Sequence, residues 1–393
     1  MALSADSASP SAPARAAPTS RHRRPNVWLG RAIPLLLLVF AVRGYSLVLL
    51  EIIPLLWSRR PVLAALYSAA VHFLLVMTGI SYFAVYFLPI KPPPLNEPPL
   101  PVREKQVIFA CDPAGEPLRC FRDECGGAWQ STRTRHCRDC GTCRPIFDHH
   151  CAFVANDVCG STLKPFATFL AYAAALLVVA LVPFAPLQWR ACREVVSETW
   201  WSDEMQDGWW SGWRGWIGGP IYRYAGALLL GYRQYQRSAA ERPHPLGDGA
   251  LREVDSLEAA LYPHLVVPSI SMLLVTFFAS FISVIALVML YVVVRNARQG
   301  RTSVQGERIK LHRSATYDAR LSLWVPLPEG GGAVVLVEPD HDLFDLGADE
   351  NWRTLMGETW LEWASPWKPS RVSDFVMNPK AVRELEDRAR KEL

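Results

Sequence analysis

The sequence predicts an α-helical polytopic membrane protein, with four transmembrane helices and a cytosolic cysteine-rich domain between the second and third. Three observations lead there. Half of the 393 residues are apolar, and they gather into four blocks nearly free of charge: Ala32–Trp57, Val62–Leu88, Phe166–Trp189 and Leu265–Val294. A helix needs about 20 apolar residues to cross a bilayer core, and each block is long enough. Arg and Lys collect beside the first and last blocks, and eight of the nine Cys lie between Cys111 and Cys159.

Residues 1–25, rich in Ala, Ser, Pro and Arg, are expected to form a disordered cytosolic tail. Residues 26–89 hold the first two spans. The first apolar block exceeds the roughly 7–15 residues of a signal-peptide core, so it is expected to be retained. Arg43 and Glu51 lie inside it. A central charge costs about 2.5–3.5 kcal/mol to insert, so both are expected to be paired and bundle-facing. His72, in the second span, is expected to be a satisfied polar group. Residues 90–165 form the cysteine-rich domain, 166–189 the third span, 190–263 a lumenal Trp-rich loop, 264–295 the fourth span and 296–393 a cytosolic C-terminal region.

Charge sets the orientation. The tail carries Arg15, Arg21, Arg23, Arg24 and Arg31; the fourth span is followed by Arg295, Arg298, Arg301, Arg308, Lys310 and Arg313. Both termini therefore read as cytosolic, in an integral multi-pass protein of an endomembrane or the plasma membrane. The far-side loop mixes Arg with acids and holds Trp200, Trp201, Trp209, Trp210, Trp213 and Trp216. Indole favours the headgroup zone, so this loop is expected to lie on the membrane surface. Net charge is only +4, and no concentrated basic face appears, which argues against a nucleic-acid partner.

A dense cysteine cluster on the reducing side argues for metal or catalysis over disulfides. The series is Cys111, Cys120, Cys125, His136, Cys137, Cys140, Cys143, His149, His150, Cys151 and Cys159. A pair such as Cys137-x-x-Cys140 suits zinc, because a tight turn lets both thiolates reach one tetrahedral ion. Each structural zinc takes four ligands, so eleven candidates supply two ions with some left over. A surplus Cys beside a surplus His reads as nucleophile and base.

The run Trp129–Cys143 (WQSTRTRHCRDCGTC), followed by Asp148-His149-His150-Cys151, resembles the cysteine-rich domain of DHHC protein S-acyltransferases. That family places this domain between its second and third spans. Thr302-Ser303-Val304-Gln305 resembles its Thr-Thr-x-Glu element, and Phe344 with Asn351-Trp352 its C-terminal aromatic–Asn motif. The resemblance implies two structural zinc ions, one on Cys120, Cys125, His136 and Cys143, the other on Cys137, Cys140, His150 and a fourth ligand. It also implies that Cys151 is the nucleophile, His149 its base and Asp148 the group that orients His149. The donor would be a fatty acyl-CoA and the acceptors cytosolic cysteines of substrate proteins, with the acyl chain kept in membrane lipid.

Several positions depart from the family. Cys120 and Cys125 have four intervening residues where the family has two, and Ala152-Phe153 replaces Pro-Trp. An ungapped match through Asn156, Val158, Lys164 and Phe166 puts Asp157 where the family has its last zinc thiolate and Cys159 where it has Gly. A thiolate completes the more usual site, so Cys159 is the preferred fourth ligand and Asp157 the alternative. These departures keep a non-catalytic zinc-bearing membrane adaptor open as a second reading. Cys111 and Cys192 are expected to be plain thiols.

Overall fold

The computed structural model describes residues 25–87, 97–241, 270–315, 318–368 and 370–392. The expected tail, the start of the cysteine-rich domain and residues 242–269 of the far-side loop and fourth span fall largely or wholly outside these segments.

Four helices are long and apolar enough to cross a membrane: Ala32–Ser58, Pro61–Phe87, Leu163–Leu181 and Ile270–Arg298. The third is the shortest. Its 19 residues rise about 28 Å, which just matches a hydrocarbon core of about 30 Å. It begins three residues before the apolar block and stops at Leu181, because Pro183 has no N–H with which to continue the ladder. The chain then resumes as a separate helix, Phe184–Glu198.

The third helix is the axis of the bundle and packs on the second and fourth. It is 44% buried, against 11–17% for the other three. Their outward faces carry Leu35, Val39, Val62, Leu66, Phe277 and Phe281 in the open, an apolar surface that needs lipid to cover it. Arg43, which is exposed on the first span, and the part-buried His72 of the second both have polar partners. An Arg43 Nη donates to Ser271 Oγ at 2.9 Å, Tyr45 Oη lies 2.9 Å from His72 Nε2, and His72 Nδ1 lies 2.7 Å from the Ser68 carbonyl.

The Trp-rich segment is not a plain surface loop. Helix Gly219–Glu241 packs against Phe184–Glu198 through Val195, Tyr232 and Tyr235. Trp209 is buried and donates to the Arg223 carbonyl; Trp210 donates to the Trp200 carbonyl; the Arg223 guanidinium lies 3.4 Å from the centre of the Trp216 ring. Trp201, Trp213 and Trp216 remain exposed, so only part of the set is available to a membrane surface.

The cysteine-rich and C-terminal regions form one folded unit. Strand β1 (Phe109–Ala110) pairs antiparallel with β6 (Leu321–Pro326), which pairs with β7 (Gly332–Val337). Helix Pro379–Glu392 covers this sheet with Ala381, Leu385 and Ala389, spaced on one helical face, against Leu323, Val325, Val335 and Val337. Two short hairpins, β2–β3 (Arg135–Cys137 with Thr142–Arg144) and β4–β5 (His149–Cys151 with Asn156–Val158), carry most of the candidate site residues.

Candidate active site and metal centres

Successive side chains of a strand point to opposite faces, and both hairpins use this. On β2, His136 turns to one side and Cys137 to the other. His136 pairs with Cys143 across the hairpin and joins Cys120 and Cys125. His136 Nδ1 lies 3.1 Å from Cys125 Sγ and 3.8 Å from Cys120 Sγ, and Cys125 Sγ lies 3.6 Å from Cys143 Sγ. Bonds of 2.0–2.3 Å to a tetrahedral zinc separate its ligands by roughly 3.3–3.8 Å, so the donors fit one ion. Burial and the neighbouring thiols push the Cys143 thiol up to about 12, so a cation is what would let these sulfurs ionise together. The four residues between Cys120 and Cys125 are absorbed by a turn at Asp123–Cys125, with Gly126 and Gly127 at φ of 55° and 74°.

The second cluster is Cys137, Cys140, His150 and Asp157. His150 Nδ1 stands 2.8 Å from Asp157 Oδ1, 3.5 Å from Cys140 Sγ and 3.7 Å from Cys137 Sγ. The preference for Cys159 as the fourth member is therefore not met. Asp157 is the cross-strand partner of His150 on β5, and Cys159 lies beyond the strand end in the turn that starts the third span. Its sulfur is 3.8 Å from Ser161 Oγ and 3.7 Å from Thr162 Oγ1. Asp157 is fully buried. Burial alone would raise its carboxyl, but bonds to Cys137, Arg144 and His150 outweigh this and lower it. Arg144 Nε donates to Asp157 Oδ2 at 2.8 Å, leaving Oδ1 turned to the cluster.

On β4, alternation sends His150 to the metal side, and His149 and Cys151 to the other. Cys151 is buried among Val85, Leu163, Phe166, Ala286 and Val293, at the adjoining ends of the second, third and fourth spans. His149 packs edge-on against Phe166, and its Nδ1 lies 2.8 Å from Asp148 Oδ2. Its Nε2 is buried and makes no hydrogen bond of ordinary length among the described residues. Burial disfavours the imidazolium, but Asp148 and the nearby Cys151 thiol outweigh it and raise the ring to about 9. His149 is thus a stronger base than free imidazole.

Asp148 is itself held by the segment that follows the fourth span. Its Oδ1 accepts the backbone N–H of Ser303 at 2.6 Å. Ser303 opens helix Ser303–Arg313, whose start is a capping box. Thr302 Oγ1 accepts the Gln305 N–H, and Gln305 Oε1 accepts the Thr302 N–H. Glu and Gln serve this motif equally, and the serine contributes through its backbone. The two departures from Thr-Thr-x-Glu thus leave the hydrogen bonding intact.

The site also depends on contacts that sequence reasoning missed. The Arg133 Nε–Asp374 Oδ1 pair, 2.8 Å and nearly buried, joins the domain to the C-terminal region, and the Arg133 guanidinium lies 3.8 Å from the Phe344 ring centre. Asn351 Nδ2 donates to the Arg298 carbonyl at the end of the fourth span and to Asp345 Oδ1. The aromatic–Asn motif pointed to Phe344 and Asn351; no local signal pointed to Asp374.

Residues 119–310 match a family model described as DHHC palmitoyltransferase. Residues 119–310 form a DHHC-family domain. Among curated proteins, the chain is 30% identical over 166 residues to "Probable protein S-acyltransferase 13" of Arabidopsis thaliana, which covers 39% of this chain and 54% of that protein. It is 34% identical over 73 residues to "Palmitoyltransferase spe-10" of Caenorhabditis elegans, covering 19% and 20% respectively. The chain thus spans about half the length of the first relative and a fifth of the second. The DHHC domain contains both metal-ligand clusters, the Asp148–His149–Cys151 group and the helix start that holds Asp148. The remaining thiols stand apart. Cys111 is buried beside Val102, Phe109 and Trp129, with burial pushing its thiol up to about 11; Cys192 is half-buried.

Proposed function

We propose that the protein is a membrane protein S-acyltransferase. It takes a fatty acyl group from acyl-CoA onto Cys151 and passes it to a cysteine of a substrate protein at the cytosolic face. The observation that carries this reading is the split of β4. His150 is committed to the metal side, while Asp148, His149 and Cys151 meet where three spans end.

The residues support the following chemistry. His149 Nε2 takes the proton of the Cys151 thiol, and Asp148 stabilises the imidazolium through Nδ1. The thiolate attacks the carbonyl carbon of the donor thioester. The carbonyl carbon's bond to the CoA sulfur breaks, and CoA leaves with the proton from His149. A substrate cysteine, deprotonated by the same ring, then attacks the Cys151 thioester and releases the enzyme thiol. Burial of Cys151 at the bundle end keeps the acyl chain among apolar side chains, which matters at about 0.8 kcal/mol per methylene.

Zinc fits both clusters. Cys120, Cys125, His136 and Cys143 would hold one ion, and Cys137, Cys140, His150 and Asp157 the other. Bound there, zinc supplies rigidity to the hairpins and no chemistry to the acyl group.

The test is self-acylation of the purified full chain by a labelled acyl-CoA. The wild type should form a hydroxylamine-sensitive adduct, and Cys151→Ser should form none while keeping two zinc ions. Loss of a zinc in Cys151→Ser would make the residue a ligand. No adduct on the wild type would favour the adaptor reading.

A further inference from the structure

A second site lies on the flank of the same core. Lys164 is the second residue of the third-span helix and is 1% exposed, yet no hydrogen bond or ion pair reaches its ammonium within contact distance among the described residues. It lines a cavity of about 240 Å³, together with Thr354, Gly357, Glu362, Lys368, Ser370 and Arg371. A buried ammonium without a close counter-ion is costly, so its place at a cavity wall calls for an anion.

The one carboxylate on the wall is already engaged. Glu362 Oε2 accepts the Glu358 N–H at 2.8 Å, and Oε1 lies 3.3 Å from Lys368 Nζ. Gly357 makes room for it: at φ of 101°, a Cβ there would sit 2.5 Å from the Glu362 carboxylate. Arg371 is fixed by its backbone N–H to the Thr354 carbonyl and donates from Nη1 to Glu358 Oε1 at 3.1 Å, and Ser370 Oγ donates to the Gly160 carbonyl. Lys368 and Arg371 each have a carboxylate partner, Glu362 and Glu358, so the positive charge left over on this small cavity is that of Lys164, on which Glu362 acts only through space. The group stands at the head of a membrane span, on the side that bears Cys151.

We propose that Lys164, Lys368 and Arg371 form a binding site for a phosphate ester. Lys164 is the buried anchor, and Lys368 and Arg371 close the rim. The ligand is a phosphate monoester, whether on a lipid headgroup at the membrane surface or on a soluble molecule; both present the same doubly acidic, tetrahedral oxyanion to these donors. The site does not depend on the acyltransferase reading, and its test does not measure acylation.

The experiment uses the full chain in nanodiscs of neutral phosphatidylcholine, titrated with radiolabelled inorganic phosphate at constant ionic strength. One phosphate per chain should bind, and chloride should not displace it. Lys164→Met should weaken binding about tenfold or more, the loss expected for one hydrogen bond to a charged group. Should Lys164→Met fail to fold, the exposed rim pair Lys368→Ala with Arg371→Ala decides, and it too should weaken binding. Nanodiscs containing phosphatidic acid distinguish the sources. Blocked binding of inorganic phosphate would identify a lipid headgroup, and unchanged binding a soluble ester. Phosphate held no better than chloride, or held equally by wild type and the folded variants, would overturn the proposal.

Discussion

The two metal-ligand clusters sit on neighbouring hairpins and share strand β2, yet they differ in kind. The first offers three thiolates and an imidazole, with Glu124 near His136 at its edge. The second offers two thiolates, an imidazole and a buried carboxylate braced by Arg144. The difference lies next to the proposed nucleophile, because the His150 that faces Asp157 is flanked by His149 and Cys151. Asp157 is held opposite His150 by strand pairing and braced by Arg144, and it would be a ligand of the metal that we propose.

The largest effect should come from separating the two histidines of β4. His149→Ala should keep two zinc ions and slow self-acylation by about 10²–10⁴, the usual loss on removing a general base. His150→Ala should release one ion and destabilise the fold, since structural zinc contributes on the order of 10–16 kcal/mol to small domains. Native mass spectrometry together with an acylation time course reads both. A zinc loss in His149→Ala with none in His150→Ala would invert the two faces of the strand.

Next comes the contrast between the clusters themselves. Asp157→Ala should lower bound zinc from two ions to about one, and Cys159→Ala should leave it unchanged. Wild-type protein challenged with a chelator should lose its zinc in two phases, the faster from the Cys137–Cys140–His150–Asp157 cluster. Asp157→Cys should slow that faster phase by restoring a third thiolate. A single phase, equal in wild type and Asp157→Cys, would show that the carboxylate makes no difference to metal retention.

Much of this was legible in the sequence, for identifiable reasons. Apolar blocks long enough to span have few other uses, so the four helices could be read directly. The cluster at Cys120–Cys151 announced metal through its spacing. The assignment of His149 and His150 to different roles was available only through family resemblance, because adjacent histidines are equivalent until a strand places them on opposite faces. The choice between Asp157 and Cys159 set ligand preference against register, and register prevails because His150 and Asp157 are directly paired. The Arg133–Asp374 pair spans 241 residues and leaves no local trace. The Trp-rich segment looked like a surface loop because nothing in its pattern shows that Trp209 will pack against Gly226.

The smallest predicted effect sharpens the other side of the comparison, the support that reaches Asp148 from the helix that follows the fourth span. Ser303 bonds the Asp148 carboxylate through its backbone N–H and not its side chain, so Ser303→Ala should acylate as the wild type does. Ser303→Pro deletes that donor as well as the Oγ that accepts from Asn296 Nδ2 at 3.2 Å, and Ser303→Ala, which loses only the Oγ, is its control. Proline is well accepted at the first position of a helix, and Thr302 before it already has the extended conformation that proline demands, at φ of −95° and ψ of 161°. A hydrogen bond to a charged group contributes about 1.5–3 kcal/mol, so slowing of at least about tenfold is expected if Asp148 must be held for His149 to act. Zinc content should stay at two ions, which separates this loss from any failure of the hairpins. Thr302→Ala should fall between the two, because it costs the helix its cap, about 1 kcal/mol, while leaving the Ser303 N–H in place. Equal rates in Ser303→Ala and Ser303→Pro would mean that Asp148 is positioned by β4 alone, and that the helix start merely rests against it.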